Sequence, residues 1–120
     1  MRTLIFAKRN FKEIIRYSDG IIIARGDLIP ECGLINSVDK EFDLLLKVKK
    51  YEKEKEVIIA THILDNMRKG IIPNINELES IYTFVNLGVT GFLLASETSI
   101  GNYPVKIVEM LKMLINLYKK

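Results

Sequence analysis

The chain holds 120 residues, 18 of them Lys or Arg against 15 Asp or Glu, with a net charge of +3 and 48% hydrophobic residues. That length sets a single domain over 1–120 as the expectation, the apolar share excludes a disordered tail, the lone cysteine excludes a disulfide framework, and so small a charge gives no case for a nucleic-acid partner. No apolar run reaches the ~18 residues of a membrane span and the stretch after Met1 is too short for a signal peptide, so a reduced, cytoplasmic setting without a membrane partner is expected.

Short apolar, β-branched runs alternate with amphipathic stretches. The first run is Thr3-Leu4-Ile5-Phe6-Ala7, followed by a helix predicted from Asn10 to Tyr17, with Asn10 as its N-cap and Glu13 as the capping-box partner. Ser18-Asp19-Gly20 breaks the chain before the second run, Ile21-Ile22-Ile23-Ala24, which Arg25-Gly26-Asp27 closes. A loop containing Pro30 and Gly33 is predicted next, then a long helix from Ser37 to Lys55 with an apolar face of Val38, Phe42, Leu45, Leu46 and Val48. The third run, Val57-Ile58-Ile59-Ala60, ends in Thr61-His62, and a turn of helix is predicted over Leu64 to Met67. After Gly70 and Pro73, Asn76 is read as the cap of a helix from Glu77 to Leu87, with Gly88 at C′. The fourth run, Gly91-Phe92-Leu93-Leu94-Ala95, ends in Ser96-Glu97-Thr98. Pro104 opens a last helix from Val105 to Leu117, with Ile107, Val108, Leu111, Leu114 and Ile115 in one stripe.

Four β-α repeats are the result, the later strands starting about 33 to 36 residues apart, a length that suits βα units. The strand runs are continuously apolar, the mark of parallel strands covered on both faces, so the fold class is α/β with helices outside a parallel sheet. Each run also ends in polar residues: Lys8, Arg25-Gly26-Asp27, Thr61-His62 and Ser96-Glu97-Thr98. In parallel α/β architectures these ends share one edge, where ligands bind. The plainer reading is that polar residues merely terminate strands. Cys32 has no partner in sequence and receives no role.

Three blocks carry a family resemblance. Asp19 to Leu28 resembles the DGIMVARGDL segment of pyruvate kinases, Val57 to Met67 their VICATQMLESM segment, and Leu94 to Pro104 their LSGETAKGDYP segment, in family order and spacing. Pro73 and Glu77 fall in register with the family's PTRAE, and Thr3 to Ile15 resembles the strand ending in KIEN with the NFDEIL helix after it. The resemblance implies part of a (β/α)8 barrel: strands five to eight with their helices, a half-barrel of four βα units. A whole barrel takes roughly 250 residues.

By this resemblance, Lys8 corresponds to a catalytic lysine that neutralises the transferring phosphoryl group and the developing enolate, a fixed cation where negative charge builds up. Asp27 corresponds to the carboxylate that holds Mg2+ or Mn2+, Arg25 and Gly26 to a turn whose amides cradle the substrate carboxylate, and Thr61 to a threonine at the substrate carboxylate and the proton-transfer face. Scaffold without ligand, and for Lys8 an ordinary solvated lysine, are the competing readings. Arg25-Gly26-Asp27 also spells a cell-adhesion tripeptide, a reading that the absence of a secretory signal disfavours. The pattern departs from the family in places. Lys8 is followed by Arg9-Asn10, so no glutamate matches the second metal ligand, and one carboxylate holds the ion weakly. Ile29 replaces a glycine, Ala95-Ser96 replaces Ser-Gly, His62 stands for glutamine, and Ser80 and Thr83 for Asp and Asn. The resemblance assigns the ADP and potassium sites to parts of the family with no counterpart here. Three function classes stay open: a phosphoenolpyruvate/ADP phosphotransferase completed by a separate N-terminal half; a non-catalytic module binding an oxo-acid or phosphoenolpyruvate with a metal; and a regulatory pseudoenzyme docking on a full-length relative. Unpaired end strands and an apolar inner face (Ile21, Ile23, Ile58, Phe92, Leu94) point to a homodimer that closes a barrel or pairs by strand edges.

Overall fold

The computed structural model of the chain describes residues 2–3, 11–60, 63–94 and 101–119, with Arg2, Thr3, Phe11, Asp27 and Glu31 described by backbone alone. Two compact units divide it: residues 1–60 with 89–92, and 61–88 with 93–120.

The first unit is built on parallel strands. β1 (Arg2–Thr3), β2 (Gly20–Ala24), β3 (Glu56–Ala60) and β4 (Gly91–Leu93) lie in sequential order. β1 pairs with β2 and β2 with β3 in parallel, the latter from Gly20↔Glu56 to Ala24↔Ala60. Thr90 ties the start of β4 to β3: its N–H donates to the Val57 carbonyl at 2.9 Å and its hydroxyl accepts the Val57 N–H at 3.0 Å. The α/β class with a parallel sheet is as expected. The predicted first strand, Thr3 to Ala7, is described at Thr3, which lies in β1; its remainder to Ala7, the cap Asn10 and the end of the fourth run at Ala95 lie outside the described residues.

Strand residues alternate between faces, and the register sorts them. Ile21, Ile23, Val57 and Ile59 share one face and are at most 1% exposed. Ile22 and its partner Ile58 share the other and are half-buried. The expected inner layer of Ile21, Ile23 and Ile58 therefore mixes two faces: parity puts Ile58 opposite Ile21 and Ile23. The buried face is covered by α1 (Phe11–Tyr17), α2 (Arg25–Cys32) and α3 (Leu34–Tyr51), with Ile15, Leu28, Leu44, Leu45 and Val48 in the core. Full burial of each such isoleucine or leucine is worth about 2 kcal/mol.

Two helical expectations are corrected here. The segment after β2 is predicted as a loop but forms α2, with Pro30 inside it. Pro30 is the sixth residue of the helix and has no backbone N–H to donate, so tertiary packing, with Leu28 1% exposed, holds the helix against it. The long helix starts at Leu34 and ends at Tyr51, and Ser37 is an interior residue whose hydroxyl donates to the Leu34 carbonyl at 2.6 Å. Its buried stripe is Ser37, Glu41, Leu44, Leu45 and Val48, while Val38 and Leu46 are 55% and 54% exposed. At ~100° per residue, the predicted face was rotated by about one position. Gly33 joins α2 to α3 at φ 85, a left-handed conformation that favours glycine. At the far end, burial pushes the Lys49 ammonium pKa down, with Glu54 opposing, and its Nζ donates to the Lys55 carbonyl at 3.0 Å.

The second unit is helical. A 3-10 turn (Asp65–Arg68) leads to α4 (Ile75–Asn86), and α5 (Pro104–Tyr118) packs on α4. Asn74, not Asn76, caps α4 in a complete capping box. Asn74 Oδ1 accepts the Glu77 N–H at 2.9 Å and Glu77 Oε1 accepts the Asn74 N–H at 3.0 Å, while Glu77 Oε2 accepts the Asn66 N–H at 2.9 Å. One carboxylate thus fixes both the helix start and the 3-10 turn. Gly88 stands at C′ with φ 99, and Pro104 sits in the first turn of α5, both as expected. Ile81, Phe84, Ile107, Leu111 and Leu114 form the buried interface side of the pair. Tyr82 meets Tyr118 edge-on at 5.3 Å, and Asn86 Nδ2 donates to the Tyr118 carbonyl at 3.1 Å. Among the described residues no helix is long and apolar enough to cross a membrane.

Candidate functional site

The strand edge predicted to carry chemistry is described at β2. The strand ends at Ala24, whose φ of −90 and ψ of 96 are still extended, and Arg25 begins α2 with no intervening loop. Arg25-Gly26-Asp27 is therefore the first turn of an eight-residue helix set directly on a parallel strand. The first N–H groups of a helix have no acceptor within it, and the helix dipole favours an anion beside them. Gly26 adds no side chain to that turn. The register Ala24↔Ala60 brings the ends of β2 and β3 side by side. Thr61, the next residue after Ala60, lies outside the described residues, as do Lys8, His62 and Ser96-Glu97-Thr98; of Asp27 the backbone alone is described. Among the sequence-predicted site residues, the structure thus brings Arg25, Gly26 and the Asp27 backbone together in one turn.

A residue that sequence reasoning missed stands behind this turn. Glu41, on the buried stripe of α3, is 5% exposed and places Oε1 3.7 Å from the Arg25 Nε. That distance is an ion-pair contact and too long for a hydrogen bond, and Oε1 has no hydrogen-bond partner among the described residues. Burial pushes the Glu41 carboxyl up to about 7, with the Arg25 guanidinium pulling the other way. Desolvation outweighs the attraction because a 3.7 Å contact to one cation does not replace the water the carboxylate has lost. The signal in the sequence was a carboxylate at the i, i+3, i+4 and i+7 spacing of Leu44, Leu45 and Val48.

Among the described side chains, no group of three or more His, Cys, Asp or Glu could hold a metal ion. A groove of about 340 Å³ on the second unit, lined by Ile75, Leu78, Glu79, Tyr82, Thr83 and Tyr118, contains none of the predicted site residues. Glu77, noted in sequence for its register, has the capping role described above.

Comparison with known proteins points to one family. The family model "Pyruvate kinase, barrel domain" matches residues 7–108, a span that contains Lys8, Arg25, Gly26, Asp27 and Thr61. The chain is 38% identical over 111 residues to a pyruvate kinase of Aeropyrum pernix, covering 90% of this chain and 23% of that one. It is 36% identical over 104 residues to a pyruvate kinase of Encephalitozoon cuniculi, covering 87% of this chain and 24% of the relative. The crystal structure of pyruvate kinase from Pyrobaculum aerophilum superposes with a TM-score of 0.79 at 27% identity, over 96% of this chain and 27% of that one. The chain spans about a quarter of the length of the curated relatives it matches. A barrel-domain match over 7–108 that takes in every predicted strand end up to Ser96-Glu97-Thr98, together with the parallel strands and the helix seated on β2, places this chain in the pyruvate kinase family.

Proposed function

We propose that this chain is an oxo-acid-binding portion of a pyruvate-kinase barrel, forming four βα units of a half-barrel, and that on its own it binds without transferring phosphate. The observation that carries the reading is the first turn of α2, Arg25-Gly26-Asp27, set without a loop on β2 and beside the end of β3. In this reading the turn's backbone receives the carboxylate of phosphoenolpyruvate or a similar small oxo-acid, with Thr61 alongside. Lys8 supplies the fixed cation for the phosphoryl and enolate charge. Asp27 holds Mg2+ or Mn2+. A small, hard divalent ion held by one or two carboxylates keeps several waters and takes its remaining ligands from the substrate, which suits a site with a single family-matched carboxylate and makes binding weak in the absence of substrate.

Phosphoryl transfer is positioning and charge stabilisation around two substrates. The resemblance assigns the nucleotide and potassium sites to parts of the relatives outside the matched quarter. The reading therefore expects saturable heat when oxalate, a stable dianionic oxo-acid, is titrated into the chain with Mn2+, and no pyruvate when phosphoenolpyruvate and ADP are supplied in a coupled assay. Turnover by the chain alone would refute the non-catalytic half of the reading. A purely regulatory pseudoenzyme would give neither heat nor turnover.

The half-buried face of Ile22 and Ile58 favours a self-associating form. It is apolar, and β1 and β4 stand at the two ends of the strand order. In the proposed homodimer, a second copy covers this face and pairs the end strands, closing a barrel of eight strands. A separate N-terminal half would serve the same surface.

A further inference from the structure

α2 is a helix whose own sequence does little to fix where it starts. It has eight residues, below the ~12 at which an isolated helix begins to hold in water. It contains Gly26 and Pro30, the two residue types least favourable to a helix. Its N-cap is Ala24, which provides no side-chain hydrogen bond, where Ser, Thr, Asp or Asn would stabilise the helix start. Tertiary contacts must set the first turn. Leu28, 1% exposed, anchors the helix from below. At the first residue itself the described ion pair is Arg25 with Glu41.

A carboxylate is a costly choice for Glu41's position. The residue lies among Leu44, Leu45 and Val48 on the buried side of α3 and is 5% exposed, where an apolar side chain of similar volume would ordinarily be as stable or more so. Packing alone does not account for it, and the group it faces is the guanidinium that opens the proposed oxo-acid cradle. We propose that Glu41 is a positioning residue: it holds Arg25 against α3 so that α2 begins at Arg25 and keeps the Gly26 and Asp27 backbone in place for the ligand. The role rests on the functional reading above for its purpose. Its structural content, a fixed first turn, stands apart from that reading.

The test compares Glu41→Leu and Glu41→Gln with the unaltered chain by three measurements: thermal unfolding, amide hydrogen exchange, and calorimetric titration of oxalate with Mn2+. The informative amides are Leu28 and Ile29, whose helical acceptors are the carbonyls of Ala24 and Arg25. The leucine variant is expected to unfold at the same temperature or higher, yet to exchange these amides at least tenfold faster and to bind oxalate–Mn2+ at least tenfold more weakly. The glutamine variant, which keeps the volume and polarity of the side chain but removes the charge of the 3.7 Å contact, is expected to change both in the same direction as the leucine variant. Unchanged exchange at Leu28 and Ile29 in Glu41→Leu would overturn the positioning role. Absence of oxalate–Mn2+ binding in the unaltered chain would overturn the functional reading, and the exchange data alone would then decide the role of Glu41.

Discussion

Glu41 shows how one residue's protonation couples to folding. Its carboxyl, held at about 7 by burial against the pull of Arg25, binds its proton more tightly folded than unfolded, where the ordinary value is 4.5. Its contribution to stability is therefore full below pH 4.5 and is lost as pH rises through 7. Glu41→Gln removes the titration. It is expected to leave the Tm nearly unchanged at pH 5 and to raise it at pH 8 by at least ~4 °C, the equivalent of about 1 kcal/mol or more. Thermal unfolding at the two pH values checks this; an equal shift at both would mean that the carboxylate is not neutralised on folding. The residue was hard to see in sequence because a glutamate in a helix reads as solvated surface. Only the phase of the stripe, fixed by packing on the sheet, turned it inward.

At the scale of elements, capping chemistry decides more than propensity does. Asn74 and Glu77 satisfy each other's backbone N–H, and Glu77 also accepts from Asn66. Asn74→Ala is expected to cost about 1 kcal/mol, and Glu77→Ala about 2 kcal/mol because it releases the 3-10 turn as well. Chemical denaturation of both variants checks the order, and a smaller loss for Glu77→Ala would show that the Asn66 contact contributes nothing. The strands were legible from their apolar β-branched runs, and Gly88 and Pro104 from helix-end chemistry. The sequence points to Asn76, two residues late, because several Asn residues compete there and only the reciprocal bond with Glu77 distinguishes Asn74. α2 was not legible at all. Gly26, Pro30 and the missing cap all argue for a loop, and tertiary contacts through Leu28 and Arg25 override them. Of the candidate site, the three-residue turn after β2 was legible from its polar ending, whereas Glu41 behind it, brought there from another helix, had no local signal beyond its spacing.

For the whole molecule, the proposed homodimer covers the sheet face that carries the half-buried Ile22 and Ile58. Light scattering at micromolar concentration is expected to give the mass of a dimer, about twice 13.8 kDa; a uniform monomer would exclude the barrel-closing homodimer. The central claim is that the strand-end edge of this pyruvate-kinase-family chain binds an oxo-acid with a divalent ion through Arg25-Gly26-Asp27. Calorimetric titration of oxalate with Mn2+ into the unaltered chain and into Asp27→Ala tests it most directly. Saturable binding is expected, weakened at least tenfold in Asp27→Ala while the Tm stays within ~2 °C. No binding by the unaltered chain, or equal affinity in the variant, would contradict it.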